Sequence, residues 1–196
     1  MIERQFQRLT NEVRTCTRCE LHKHRIQAVF GTGNPFAELM VIGEGPGEEE
    51  DKQGLPFVGK SGQLLDKILG AAGFSRQENV FIANIVKCRP PSNREPAPEE
   101  RSACLPFLLL QIELIQPSII ILLGATALKG LIDPEAKISQ IRGKWLEWNQ
   151  FHVMPTYHPS ALLRNPDLKK DVWEDMKQVV QKYREIVDPS HPCEYF

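Results

Sequence analysis

A three-layer α/β/α sandwich around a mainly parallel four-stranded sheet is the fold class predicted for this 196-residue chain. Three observations predict it. Short runs rich in Ile, Val, Leu and Phe occupy residues 38–43, 80–86, 118–123 and 151–156. They are almost continuously apolar, as strands covered on both faces are, whereas a strand with one wet face alternates. Helical patterns separate them, and strands alternating with helices favour parallel pairing through crossovers.

Residues 2–16 form a first helix ahead of the strand at 38–43, and the next helix, 61–73, is ended by Gly73. After the strand at 80–86, residues 97–116 form a helix opened by Pro98-Glu-Glu100 and stopped by Pro117. Proline and acids suit a first turn, where the amides lack partners and the helix dipole is positive. A helix at 125–132 follows the third strand, and one at 167–186 follows the fourth. Without repeats or a long linker, residues 1–187 read as one domain and 188–196 as a loose tail.

With 24 Lys plus Arg against 25 Asp plus Glu, the net charge is −1. That balance excludes a generic basic nucleic-acid binder, so any DNA contact has to be local. No apolar run approaches the roughly 18 residues that a bilayer span needs, and the start lacks a signal-peptide pattern. No membrane partner is expected, and the expected location is the cytoplasm, where thiols stay reduced and clustered cysteines point first to a metal.

Ligands of open α/β sheets bind beyond the carboxyl ends of the strands. The unusual segments fall there: Gly43-Glu-Gly-Pro-Gly-Glu-Glu-Glu-Asp51, then Asn84 and Lys87-Cys-Arg-Pro-Pro91, then Gly124, then Tyr157-His-Pro-Ser160. Four loops therefore converge on one cleft.

Cys16 and Cys19 form a C-x-x-C, Cys88 follows the second strand, Cys104 sits early in a helix, and Cys193 is left over. Four thiolates serve a tetrahedral zinc or a 4Fe-4S cluster, and the spacing alone leaves both open beside unliganded buried thiols. Gly54-Leu-Pro-Phe-Val-Gly59-Lys60-Ser61 spells a P-loop and precedes a helix. A P-loop leaves a buried strand directly, however, and this segment follows the acids Glu48-Glu-Glu-Asp51 instead. A nucleotide triphosphatase is thus an alternative from another class, and a noncatalytic metal protein that binds DNA or carries electrons is a third. Lys60 and the amides beside it could still hold one DNA phosphate.

Together, the loop 43–51, Pro56-Phe-Val-Gly59, Asn84-Ile-Val-Lys-Cys-Arg-Pro-Pro91, Arg142-Gly-Lys-Trp145 and His158-Pro-Ser-Ala-Leu-Leu163 resemble family 4 uracil-DNA glycosylases, the iron-sulfur branch of that superfamily. The resemblance runs from about residue 16 to 183. It implies hydrolysis of the bond between uracil and deoxyribose in single- or double-stranded DNA, by a monomer associated with the nucleoid. It also implies one 4Fe-4S cluster on Cys16, Cys19, Cys88 and Cys104.

The residues fit that chemistry. A base must be rotated out of the helix before its edge can be read. Phe57 is the expected stacking platform, and Asn84 can accept from uracil N3–H while donating to O4, the reverse of what cytosine offers. His158 is expected to donate to uracil O2 as charge develops there, helped by backbone amides of the loop from Gly43 through Glu44 and Gly45 to Gly47. Glu50, ahead of Glu44, is expected to orient water and support the sugar cation. Other superfamily branches carry Asp or Asn where this chain has Gly45, while the family 4 pattern has the same Gly. A related branch that links covalently to DNA has a reactive His in a basic loop; residues 138–144 lack one, so turnover is expected. Lys60, Lys87, Arg89, Arg142, Lys144 and Arg164 are expected at DNA phosphates, and Leu162 and Leu163 as a wedge filling the vacated stack.

Overall fold

The computed structural model describes residues 2–195. Its elements are α1 (Ile2–Arg14), β1 (Thr32–Gly33), β2 (Leu39–Gly43), α2 (Glu48–Gln53), α3 (Lys60–Ala71), β3 (Val80–Asn84), α4 (Pro98–Ile115), β4 (Ile119–Leu123), α5 (Gly124–Leu131), α6 (Ile138–Ile141), β5 (Leu146–Trp148), β6 (Phe151–Thr156), α7 (Pro159–Arg164) and α8 (Leu168–Ile186). The sheet order is β1-β3-β2-β4-β6-β5. The four predicted strands are its central parallel set. Two short antiparallel strands, β1 and β5, extend the four-stranded expectation to six at the edges.

Leu39 and Val41 pack with Leu65 of α3, Leu162 of α7 and Met176 of α8, whereas Met40 and Ile42 pack with Val13 of α1, Phe107 of α4 and Ala127 of α5. Adjacent side chains of one strand thus enter opposite layers, which is why the runs are apolar throughout. The register pairs Gly43 with Asn84 and Leu123 with Thr156, aligning the strand ends. Among the described residues no helix is long and apolar enough to cross a membrane.

Within the tail from residue 188, His191 and Cys193 pack against the body of the protein, contrary to the looseness expected there. His191 is buried, its Nε2 lies 2.9 Å from the Ala72 carbonyl, and its ring stacks on Phe74 at 4.3 Å. The Cys193 thiol donates to the Ala71 carbonyl at 3.5 Å. These contacts cover the end of α3, an energetic reason for the tail to stay down that its polar composition hides.

Candidate active site

Beyond the aligned strand ends lies a cleft of about 450 Å³, lined by Glu44, Gly45, Glu50, Phe57, Asn84, His158 and Arg164. The structure thus brings the predicted base-handling residues together. It adds Ser61 and Ser160 from the motifs beside them, and Asn93 and Arg94, which carried no motif signal, to the same wall.

Phe57 sits in left-handed backbone at φ 53°, held from two sides. Arg76 donates to the Pro56 and Phe57 carbonyls, both at 2.8 Å, and pairs with Asp66. On the other side Glu50 Oε1 accepts from the Val58 and Gly59 amides, both at 2.9 Å, while its Oε2 accepts from the Gly47 amide at 3.1 Å. This clamp has two consequences. The P-loop reading fails because a carboxylate occupies the amides a triphosphate would need. Glu50, expected to orient water, also has three backbone donors to satisfy it and braces the loop. Gly47's amide is likewise committed to Glu50 and is not free to receive a developing anion.

Asn84 ends β3 and is 2% exposed, and its Oδ1 is a buried acceptor without a hydrogen-bond partner among the described residues. Such an atom costs roughly 1–3 kcal/mol while it stays unpaired, so a donor brought by a ligand is strongly favoured. Gly43 stands opposite, and a Cβ there would lie 2.6 Å from that Oδ1 and 2.5 Å from the Phe57 ring. Any side chain at Gly43 would fill the space between platform and reader.

His158 caps α7: its Nδ1 accepts from the Ser160 amide at 3.1 Å, with Ser160 Oγ at 2.8 Å. A backbone amide can only donate, so a neutral ring carries its proton on Nε2. Burial, aided by Arg164, pushes its pKa down to about 4. The group at the cleft is therefore a neutral Nε2–H donor at neutral pH, its ring 5.6 Å from that of Phe57.

Glu44 has the properties Glu50 lacks. One oxygen, Oε2, accepts from Thr126 Oγ1 at 2.5 Å. Burial pushes its pKa above the ordinary carboxylate value, with nearby Glu95 adding to the rise while Thr126 and Arg101 oppose it. Gly45 cannot substitute for it, because a Cβ there would lie 2.7 Å from the Val86 side chain.

The expected DNA cations divide. Lys60, Lys144 and Arg164 are exposed, and Arg89 is half-buried against Asn93 and Glu48. Lys87 is 1% exposed and cannot reach a phosphate. Arg142 forks onto the fully buried Asp175, which Thr156 also binds, so it anchors the 138–145 segment to α8. Leu162 is a core residue at 1% exposure while Leu163 is 48% exposed, leaving Leu163 as the only wedge of the pair.

The four predicted cysteines surround a small cavity with Arg25, Lys87 and Phe107, while Cys193 lies elsewhere. Arg25 donates to Cys88 Sγ at 3.0 Å, and the amides of Lys87 and Arg18 approach Cys104 and Cys16 at 3.3 and 3.4 Å. Burial raises the pKa values of Cys19 and Cys88 and lifts Cys104 to about 11. No three Cys, His, Asp or Glu among the described residues are grouped as tightly as one ion requires. The sulfurs ring a cavity without meeting at a point.

The family model described as the Uracil DNA glycosylase superfamily matches residues 30–177. A protein of Thermotoga maritima named type-4 uracil-DNA glycosylase is 48% identical over 174 residues, 87% of this chain and 90% of its own. Proteins of the same name from Saccharolobus solfataricus and Sulfurisphaera tokodaii are 47% and 42% identical, over 87% and 97% of this chain and 83% and 90% of their own.

Proposed function

The chain belongs to the uracil-DNA glycosylase superfamily, in its type-4 branch, and we propose that it removes uracil from DNA at the cleft formed by Phe57, Asn84, Glu44 and His158. The unpartnered Asn84 Oδ1 carries this reading. Uracil N3–H would supply the missing donor, whereas cytosine would present an acceptor to an acceptor. Phe57, braced by Glu50 and Arg76, stacks on the flipped base, and Leu163 fills the gap left in the helix. Arg164 and Lys60 meet the flanking phosphates.

The glycosidic bond breaks with its electron pair leaving on the base, and the charge collects at O2. His158 Nε2–H stabilises that charge as a donor of fixed tautomer. The sugar is left with oxocarbenium character, which water completes at C1′. Glu44 Oε1, free of Thr126, orients that water and balances the cation. These roles reverse the preference for Glu50 over Glu44.

Cys16, Cys19, Cys88 and Cys104 would hold a 4Fe-4S cluster. Sulfurs spread around a cavity, each of three near an N–H donor, suit one thiolate per iron better than four on one zinc. When bound, the cluster supplies a cross-link between the chain after α1, the end of β3 and α4.

A uracil-containing oligonucleotide tests the function. Incubation followed by alkali should cut the strand at uracil, and no cut with a folded, metal-loaded protein would sink the reading. Asn84→Ala should slow excision roughly 10- to 100-fold, the equivalent of one buried polar contact.

A further inference from the structure

Lys87 is the residue whose surroundings differ most from its chemistry. Lysines are almost never fully buried unless paired, and methionine or leucine would fill the same volume without desolvating a charge. The ammonium of Lys87 donates to the main-chain carbonyl of Asn84 at 2.7 Å and to Gln111 Oε1 at 2.6 Å. Gln111, itself fully buried on α4, donates onward to the Phe30 carbonyl at 2.9 Å. Meanwhile the Lys87 amide approaches Cys104 Sγ, and its carbonyl accepts from the Val29 amide at 2.7 Å. One residue thus touches the peptide of the base reader with its side chain and a cysteine of the metal lobe with its backbone.

We infer that Lys87 is a positioning residue: its ammonium, braced by Gln111, fixes the end of β3 so that Asn84 Oδ1 stays aimed at the base, and it ties that aim to the cysteine lobe. This rests on Asn84 reading the base as proposed above. The side-chain amide of Asn84 is set by its own backbone, and the backbone leaves the sheet at this residue. The Ile85 and Val86 amides still donate to the Gly43 and Glu44 carbonyls, at 2.9 and 3.1 Å, while the Asn84 carbonyl is held by the side chain from three residues on. Small misplacements of a reading group cost large factors in rate, so the brace acts on base recognition and leaves DNA affinity alone.

The test is a mutant cycle on the full chain. Lys87→Met should slow single-turnover uracil excision about 10- to 100-fold and weaken binding of free uracil, measured by calorimetry, by a similar factor. Iron per chain and DNA affinity should stay as in the parent. In an Asn84→Ala background the same change should cost less than threefold, since neighbours acting through one contact are not additive. An equal cost in both backgrounds, or a Lys87→Met rate within threefold of the parent, overturns the inference. A parental rate for Asn84→Ala alone would instead remove the base-reading role itself, and the inference with it. If Lys87→Met loses iron or fails to fold, Gln111→Met runs the same cycle. It should cost three- to tenfold, vanishing with Asn84→Ala, and an unchanged or additive effect is again fatal.

Discussion

The cleft and the cysteine lobe lie on either side of the segment from Asn84 to Cys88, and they treat burial in opposite ways. The cleft keeps an acceptor unpaired at Asn84, a neutral His158 and a carboxylate with one free oxygen at Glu44. The lobe surrounds its sulfurs with donors and cations and leaves little room inside. A site for a transient guest stores unsatisfied groups that the guest completes, whereas a site for a resident group is built to compensate charge permanently. Damage to the lobe should therefore reach the cleft, while damage to the cleft should leave the lobe intact.

The largest effect tests that asymmetry. Cys104→Ser should abolish the stoichiometric iron, lower thermal stability and reduce excision by more than about 10³-fold, because metal binding and folding are linked. Iron analysis, visible absorbance and melting curves check it. A variant without iron that retains parental stability and rate would show the two regions to be independent.

His158→Ala should sharpen the contrast from the other side. Removing one donor from an oxyanion-type site costs roughly 10²- to 10³-fold in rate, and here iron content should not change. The pH dependence of stability carries a second signature. His158 titrates at about 4 when folded and near 6.5 when unfolded. Between those values the unfolded chain binds the extra proton, so the His158 contribution is complete above about 6.5 and is lost as pH falls through 4. Stability measured from pH 7 to pH 4 should fall less steeply for His158→Ala than for the parent. Equal slopes would mean that the imidazole is not held neutral.

The two regions were unequally legible. The four parallel strands announced themselves because both faces are buried, and the motifs at their ends followed from that layout. Strands β1 and β5, of two and three residues, are too short to leave a period. Neighbouring Leu162 and Leu163 read alike, and only packing against α3 and α8 separates the core residue from the exposed one. Lys87 and Arg142 were read from their charge, which ordinarily means solvent. Their buried partners, Gln111 and Asp175, lie 24 and 33 residues away in sequence, beyond any local signal. Within a run of acids the sequence ranks Glu50 ahead of Glu44, and only the fold shows which of them the backbone amides engage.

That last distinction gives the finest test. If Glu44 orients water as an anion, the acid limb of the excision profile belongs to its carboxyl, which burial raises above the ordinary value. Glu44→Gln should lower the plateau by roughly 10²-fold and remove that limb, in keeping with the usual worth of a positioned base. Glu50→Gln should instead lower stability and loosen uracil binding while leaving the limb where it was. Thr126→Val then probes the same oxygen with the least disturbance, since it keeps the shape and deletes only the hydroxyl. The Thr126 hydrogen bond favours the ionised form, so its loss should move the limb to higher pH and lower the rate on the acid side while leaving the plateau close to the parental one. Thr126→Ser should restore the parental profile. A limb that stays fixed in Thr126→Val but shifts in Glu50→Gln would return the water to Glu50, and with it the assignment made from sequence.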